Sequence, residues 1–147
     1  MLGPASTVLI ADDYAAFRQC LHAELQEAGF ERVVEASDGL EAVAKAAELQ
    51  PALILLDIGM PRLDGLKAAA QIRSLAPHSK ILFVSNQSDP DIIRAALSAG
   101  GSGYLCKRRT NSEFLQAVEA VLQGKRFLCS ACPPIAHDDG LTVSRVG

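Results

Sequence analysis

The sequence predicts an α/β fold in which helices cover both faces of a five-stranded parallel sheet. Short apolar runs alternate with longer stretches whose apolar residues recur at helical spacing. Five such strand–helix units follow one another without an internal repeat, which is typical of parallel strands joined by crossover helices. The run at 53–56 is apolar throughout, as expected of a strand buried on both faces.

The first half of the chain contains three predicted strands and two predicted helices. The strands are predicted at residues 7–12, 33–36 and 53–56, and the helices at 14–28 and 40–49. Phe17, Leu21 and Leu25 form an apolar stripe along the first helix. Asp38 and Glu41 are spaced as a capping box, which predicts the start of the second helix.

The second half continues the alternation. Helices are predicted at 65–75, 91–99 and 110–122, and strands at 80–84 and 104–106. Asp89-Pro90, preceded by Ser88, predicts a helix start because proline suits the first helical turn. Thr110 and Glu113 have the spacing of a second capping box.

Length and composition favour one domain at residues 7–124. The chain has 147 residues, enough for one well-buried core but not comfortably for two. Residues 1–6 form an N-terminal extension, and residues 125–147 lack periodicity, which predicts a linker or disordered tail with no effector domain. Cys129 and Cys132, with His137 nearby, offer too few ligands for structural zinc, so two free cysteines in a loose tail are expected.

Charge and hydropathy exclude several classes of partner. The formal net charge is -3 and no basic stripe is present, so nucleic-acid binding through this segment is not expected. No apolar run is long enough for a membrane span, and no signal-peptide pattern opens the chain. We therefore expect a cytoplasmic protein without a membrane partner.

Polar side chains follow four of the predicted strands. They are Asp12 and Asp13, Asp57, Ser85 and Lys107. The carboxyl ends of parallel strands meet at one edge of a sheet, so we expect these groups to share one crevice. Three neighbouring carboxylates repel one another unless a cation neutralises them. Oxygen ligands alone favour Mg²⁺ or Mn²⁺ over zinc.

This joint pattern resembles the receiver domain of bacterial two-component response regulators. The residues that carry the resemblance are Asp12-Asp13, Asp57 with Met60-Pro61 and Asp64-Gly65, Ser85, and the run from Gly103 to Lys107. It is most similar to the NarL/FixJ-type subfamily, whose full-length members carry a DNA-binding domain after the receiver. The resemblance implies a flavodoxin-like fold with strand order 2-1-3-4-5.

The resemblance also implies the chemistry of the crevice. Asp57 would be the phosphoacceptor for a sensor histidine kinase. One carboxylate of the Asp12–Asp13 pair, Asp57 and the backbone carbonyl of Gly59 would bind Mg²⁺, with Mn²⁺ as an alternative. Lys107 would stabilise negative charge on the phosphoryl oxygens.

Two further residues would transmit the phosphorylated state. Ser85 would hydrogen-bond the phosphoryl group, and the Tyr104 ring would turn inward in response. The surface changed in this way would bind a partner or a second copy of the chain, so a homodimer is compatible with this interpretation. Asn86 stands where receivers commonly have alanine or glycine, and its side chain either crowds the phosphoryl pocket or donates to it.

Two other functions remain open. One is a receiver-like interaction module that is never phosphorylated, against which the acidic pair, Asp57 and Lys107 argue. The other is an aspartate-nucleophile phosphatase, which needs a second aspartate two residues after the nucleophile; this chain has Gly59 there. We therefore expect a switch that catalyses only its own phosphotransfer and slow dephosphorylation, not an enzyme.

Overall fold

The computed structural model describes residues 6–132 and the backbone of residues 143–145. The elements in chain order are β1 (Thr7–Ala11), α1 (Ala15–Glu27), β2 (Arg32–Ala36), α2 (Gly39–Leu49), β3 (Leu53–Leu56), α3 (Gly65–Leu75), β4 (Lys80–Ser85), α4 (Pro90–Ser98), β5 (Gly103–Cys106), a 3-10 turn (Lys107–Arg109), α5 (Thr110–Leu122), β6 (Arg126–Leu128) and β7 (Val143–Arg145). All strand pairs are parallel.

The sheet has the order β2-β1-β3-β4-β5-β6-β7. The order expected for the first five strands is confirmed, but the expected number of strands is wrong. Two more strands extend the sheet beyond β5: Gly103 of β5 pairs with Phe127 of β6, which pairs with Ser144 of β7.

Part of the predicted tail is therefore folded. Phe127 and Leu128 are buried, and so are Cys129 and Cys132 in the turn that follows β6. A three-residue strand is too short to show a periodicity, and its stability comes from the edge of β5. His137 and most of the predicted N-terminal extension lie outside the described residues.

The starts of α2 and α4 follow the local signals. Asp38 accepts a hydrogen bond from the Glu41 N–H (2.8 Å), and the Glu41 carboxylate accepts one from the Ser37 N–H (2.7 Å). Asp89 caps α4 through the Asp91 N–H (2.8 Å). These contacts satisfy N–H groups that a helix leaves unpaired in its first turn.

The predicted capping box of α5 is wrong. The Thr110 hydroxyl donates to the Lys107 carbonyl (2.9 Å) instead of capping the helix. The Glu113 carboxylate accepts hydrogen bonds from Arg109 Nε (2.9 Å) and from the N–H (3.0 Å) and hydroxyl of Ser130. Glu113 does not cap the helix because Ser130, in the turn after β6, supplies hydrogen-bond donors to its carboxylate. The sequence gives no signal for this turn.

The helices pack on both faces of the sheet. On one face α2 contacts α3, and α3 contacts α4. On the other, the end of α1 and α5 share an apolar groove that includes Phe30, Val118 and Leu122. The predicted stripe of α1 faces the core, with Leu21 and Leu25 fully buried and Phe17 partly so. Among the described residues, no helix combines the length and apolar character needed to cross a membrane.

Candidate functional site

The carboxyl ends of β1, β3, β4 and β5 converge on one cavity of about 580 Å³. Its lining includes Asp13, Asp57, Ser85 and Lys107, and Asp12 contacts Lys107 beside it. The topology thus brings together all five polar residues that the sequence places after strands.

The three carboxylates form a compact cluster. One oxygen of each of Asp12, Asp13 and Asp57 lies within 4.8 Å of the other two. Asp12 and Asp57 are buried, whereas Asp13 is exposed. A cluster of oxygen donors that is partly open to solvent suits a hard cation that keeps some of its water, such as Mg²⁺. The residues present therefore fit the predicted ion.

Lys107 places its ammonium group between the two buried carboxylates. Nζ lies 2.7 Å from Asp12 Oδ2 and 3.4 Å from Asp57 Oδ2, and 4.7 Å from the centre of the Phe17 ring. Burial alone disfavours the charged amine, but the hydrogen bond to Asp12 and the negative charges of Asp57 and Asp12 outweigh it and raise the pKa of Lys107. The lysine is therefore firmly protonated.

Asp57 lies in a less balanced environment. Burial raises the pKa of its carboxyl first, and the negative charge of Asp12 raises it further. Lys107 and the Gly59 N–H, which donates to the carboxylate, oppose this shift without cancelling it. Gly59 thus turns its N–H toward Asp57; a role for its carbonyl is still a prediction.

The backbone after Asp57 is held by a close approach to α3. A Cβ on Gly65 would lie 2.1 Å from the Asp57 carbonyl oxygen. The Gly65 N–H donates to the Ile58 carbonyl (2.8 Å). Only glycine allows this approach, which fixes the backbone that carries the Asp57 carboxylate.

Asp12 has a structural role in addition to its charge. Its Oδ1 accepts a hydrogen bond from the Tyr14 N–H (2.8 Å), and its carbonyl accepts one from Arg18 (2.7 Å). Arg18 is anchored in turn by Glu35 of β2 (2.8 Å). Asp12 thus holds the turn between β1 and α1, while Asp13 lines the cavity.

Ser85 and Tyr104 are joined through the loop between β4 and α4. Ser85 Oγ accepts a hydrogen bond from the Gln87 N–H (3.3 Å), and the Tyr104 hydroxyl donates to the Gln87 carbonyl (2.7 Å). The Tyr104 ring is fully buried and stacks on Phe83. The resemblance implies a ring that turns inward on phosphorylation, whereas in this structure the ring already lies inside. Asn86 is exposed and lines the cavity.

Several contacts of the site have no clear signal in the sequence. The sequence marks Phe17 only as a member of the apolar stripe of α1, and nothing in it marks Gln87 as a link. Cys106, which precedes Lys107, lies in contact with Cys129 and Cys132. The spacing of Cys129 and Cys132 was a signal, but the third sulfur comes from a strand far away in sequence.

Known proteins resemble this chain in sequence over most of its length. The family profile of the response regulator receiver domain matches residues 8–119. The chain is 35% identical over 112 residues to the chemotaxis protein CheY of Listeria monocytogenes, covering 76% of this chain and 94% of that protein. It is 41% identical over 114 residues to the transcriptional regulatory protein PdtaR of Mycobacterium tuberculosis, covering 76% and 54%.

A solved structure has the same fold. The two-component response regulator of the LuxR family from Aurantimonas sp. superposes with a TM-score of 0.78 at 28% identity, covering 83% of this chain and 88% of that one. The chain spans a little over half the length of the curated transcriptional regulators that it matches.

Proposed function

Since this chain belongs to the response regulator receiver domain family, we propose that it is a phosphorylation-dependent switch that accepts a phosphoryl group on Asp57. The observation that carries the proposal is the position of Asp57. Its carboxylate borders an open cavity, while Lys107 lies 3.4 Å away and Ser85 lines the same cavity.

The chain's own residues supply what phosphotransfer requires. An Asp57 oxygen attacks phosphorus as the bond from phosphorus to the histidine nitrogen of a sensor kinase breaks, and the electron pair of that bond leaves with the nitrogen. Lys107 stabilises charge on the transferred oxygens, and Ser85 donates a hydrogen bond to one of them. Such a reaction depends on positioning and charge stabilisation more than on acid–base help.

A divalent cation fits the same site. Asp12, Asp13 and Asp57 would hold Mg²⁺, or Mn²⁺ in its place, which would neutralise carboxylate and phosphoryl charge when bound. Lys107, which pairs with Asp12 and lies 3.4 Å from Asp57, would supply a second positive charge beside these carboxylates.

The output of the switch is a change of binding surface. We place it on α4, β5 and α5, because Tyr104 of β5 is tied to the loop that leads into α4. Control of transcription through a following DNA-binding domain, as in the NarL/FixJ-type subfamily, is part of the same proposal. The names of the transcriptional regulators that this chain resembles support it.

The decisive test is chemical labelling. Acetyl phosphate with Mg²⁺ should add one phosphoryl group, located at Asp57 by intact-mass and peptide mass spectrometry, and Asp57→Asn should abolish it. Asp91→Asn, which changes an exposed carboxylate on α4, is the matched control and should leave labelling unchanged. Equal labelling of the Asp57→Asn variant contradicts the proposal, and a folded wild-type chain that is never labelled favours the interaction module.

A further inference from the structure

Three of the four cysteines form a buried cluster that the proposed switch does not use. Cys106 ends β5, and Cys129 and Cys132 belong to the turn after β6. Their three sulfur atoms all lie within 4.8 Å of one another, and none of these residues is more than 3% exposed. The fourth cysteine, Cys20, is exposed on α1.

The sulfur separations suit a common metal ion. Cys129 Sγ lies 3.2 Å from Cys132 Sγ, which lies 3.9 Å from Cys106 Sγ. A tetrahedral ion with metal–sulfur bonds of about 2.3 Å sets its sulfur ligands about 3.8 Å apart. The two distances bracket this value.

The three sulfurs lie in the hydrophobic core but have polar partners. A buried cysteine that only fills space behaves as a small hydrophobic residue. Here the sulfurs face one another, and the Cys106 N–H donates to Cys129 Sγ (3.3 Å). The Cys132 thiol in turn points to the Tyr104 carbonyl oxygen (3.7 Å). Donation to a sulfur stabilises the thiolate, which is the form that binds metals.

We propose that Cys106, Cys129 and Cys132 form a binding site for a thiophilic divalent cation of the Zn²⁺ class. As each sulfur–metal bond forms, any proton on that thiol passes to solvent, and no oxidation state changes. Three sulfurs leave the fourth position of the ion to water, so the site differs from the closed four-ligand set of a structural zinc site. The bound ion fastens the turn after β6 to the end of β5, one residue before Lys107.

A disulfide between Cys129 and Cys132 accounts for less of the geometry. It needs an oxidant, and it leaves the third sulfur without a role. The proposed site is independent of the carboxylate cluster, because soft sulfur donors select Zn²⁺ whereas hard oxygen donors select Mg²⁺.

Cobalt titration of the full chain tests the proposal. The reduced, chelator-treated protein is titrated with Co²⁺ while excess Mg²⁺ occupies the carboxylate cluster. We expect thiolate-to-cobalt charge-transfer absorption with the ligand-field bands of tetrahedral cobalt, saturating at one ion per chain and displaced by Zn²⁺. Cys129→Ser and Cys132→Ser should lose this absorption, and Cys20→Ser, the matched control, should keep it.

A second measurement uses the wild-type chain, so it does not depend on whether the serine variants fold. Zn²⁺ should slow alkylation of the three clustered cysteines, read by peptide mass spectrometry, and leave Cys20 as reactive as before. Absence of charge-transfer absorption at saturating Co²⁺ overturns the proposal. The proposal is also overturned if both serine variants keep full absorption or if Zn²⁺ leaves the alkylation rates unchanged. A Cys129–Cys132 disulfide that forms as readily with Zn²⁺ as without it would overturn it as well.

Discussion

Lys107 lies at unequal distances from the two buried carboxylates of the site. Its ammonium is closer to Asp12 (2.7 Å) than to Asp57 (3.4 Å). Asp57 is therefore the less neutralised of the two, and the pKa of its carboxyl is raised, mainly by burial. A folded-state pKa above the unfolded value means that ionising this group opposes folding, and the cost appears as the pH rises through the folded pKa.

Removing the Asp57 charge should therefore stabilise the folded protein. At pH 7 without divalent ions, Asp57→Asn should raise the Tm, because it removes an unfavourable charge while Lys107 keeps its partner Asp12. Asp91→Asn, at an exposed position, should change the Tm little. A lower Tm for Asp57→Asn would show that its ion pair with Lys107 outweighs burial and repulsion.

Magnesium should reverse this order of Tm values, so that the wild type becomes more stable than Asp57→Asn. A ligand that binds only the folded state stabilises it by about 2.7 kcal/mol at 100 times its Kd. Mg²⁺ should thus raise the Tm of the wild type but much less that of Asp57→Asn or of the double variant Asp12→Asn, Asp13→Asn. An equal Mg²⁺ effect in all three proteins, measured by thermal denaturation, would refute the carboxylate site.

The loop between β4 and α4 is the element that links the site to the surface. Gln87 accepts from Tyr104 through its carbonyl and donates to Ser85 through its N–H. Because the Tyr104 ring is already buried, we expect a phosphoryl group to act on this hydrogen-bonded loop and not by drawing the ring inward. The two states must lie within a few kcal/mol for such contacts to shift their populations.

We expect Ser85→Ala to uncouple the surface from the site. Beryllofluoride with Mg²⁺ should shift the NMR signals of α4 and Tyr104 in the wild type, and these shifts should shrink in Ser85→Ala while beryllofluoride still binds at Asp57. Ser88→Ala, in the same loop, is the control with wild-type shifts. Undiminished shifts in Ser85→Ala would eliminate this relay.

Helix α5 is joined to the turn after β6 by a buried carboxylate. Glu113 is 2% exposed; burial tends to raise the pKa of its carboxyl, but the hydrogen bonds from Ser130 and Arg109 outweigh burial and lower it. A depressed folded-state pKa means that the contribution to stability is present above the ordinary value of 4.5 and is lost as the pH falls below it.

Glu113→Gln should therefore destabilise the protein in a pH-dependent way. At pH 7 the loss should be about 1.5–3 kcal/mol, as for hydrogen bonds to a charged group. The difference from wild type should narrow as the pH is lowered below 4.5 and Glu113 itself becomes protonated. Chemical denaturation across pH measures this, with Glu119→Gln at an exposed position of α5 as control. A difference that is the same at every pH would contradict the charge argument.

In the whole molecule, the sheet contains more strands than the five β/α units supply. β6 covers the edge of β5, and Phe127 and Leu128 extend the core beyond it. A Cβ on Gly103 would lie 3.0 Å from the Phe127 carbonyl oxygen, so this close pairing leaves little room for a side chain. The strand is thus integrated into the domain.

Phe127→Ala should accordingly cost about 3–5 kcal/mol, the range for removing a buried aromatic side chain. Leu115→Ala on the 45%-exposed Leu115 of α5 should cost far less. Urea denaturation gives both free energies of unfolding. A loss for Phe127→Ala no larger than for Leu115→Ala would mean that residues 126–132 behave as the loose tail that the sequence predicts.

Local patterns in the sequence are enough to predict the β/α alternation and the polar groups at the strand ends. Apolar runs and helix caps such as Asp38 act over a few residues, so they can be read locally. Asp12, Asp57, Ser85 and Lys107 converge because parallel strands must end at one edge. The receiver resemblance supplied the strand order and the proposed chemical roles.

Other features depend on contacts between residues distant in sequence, and these contacts arise only in the folded tertiary structure. It placed β6 on the edge of β5, turned Glu113 from its predicted cap toward Ser130, and brought Cys106 to Cys129 and Cys132. A short strand or a lone buried cysteine carries no periodic signal, and its free energy comes from the partner surface that the fold creates. That surface exists only once the five earlier units have assembled.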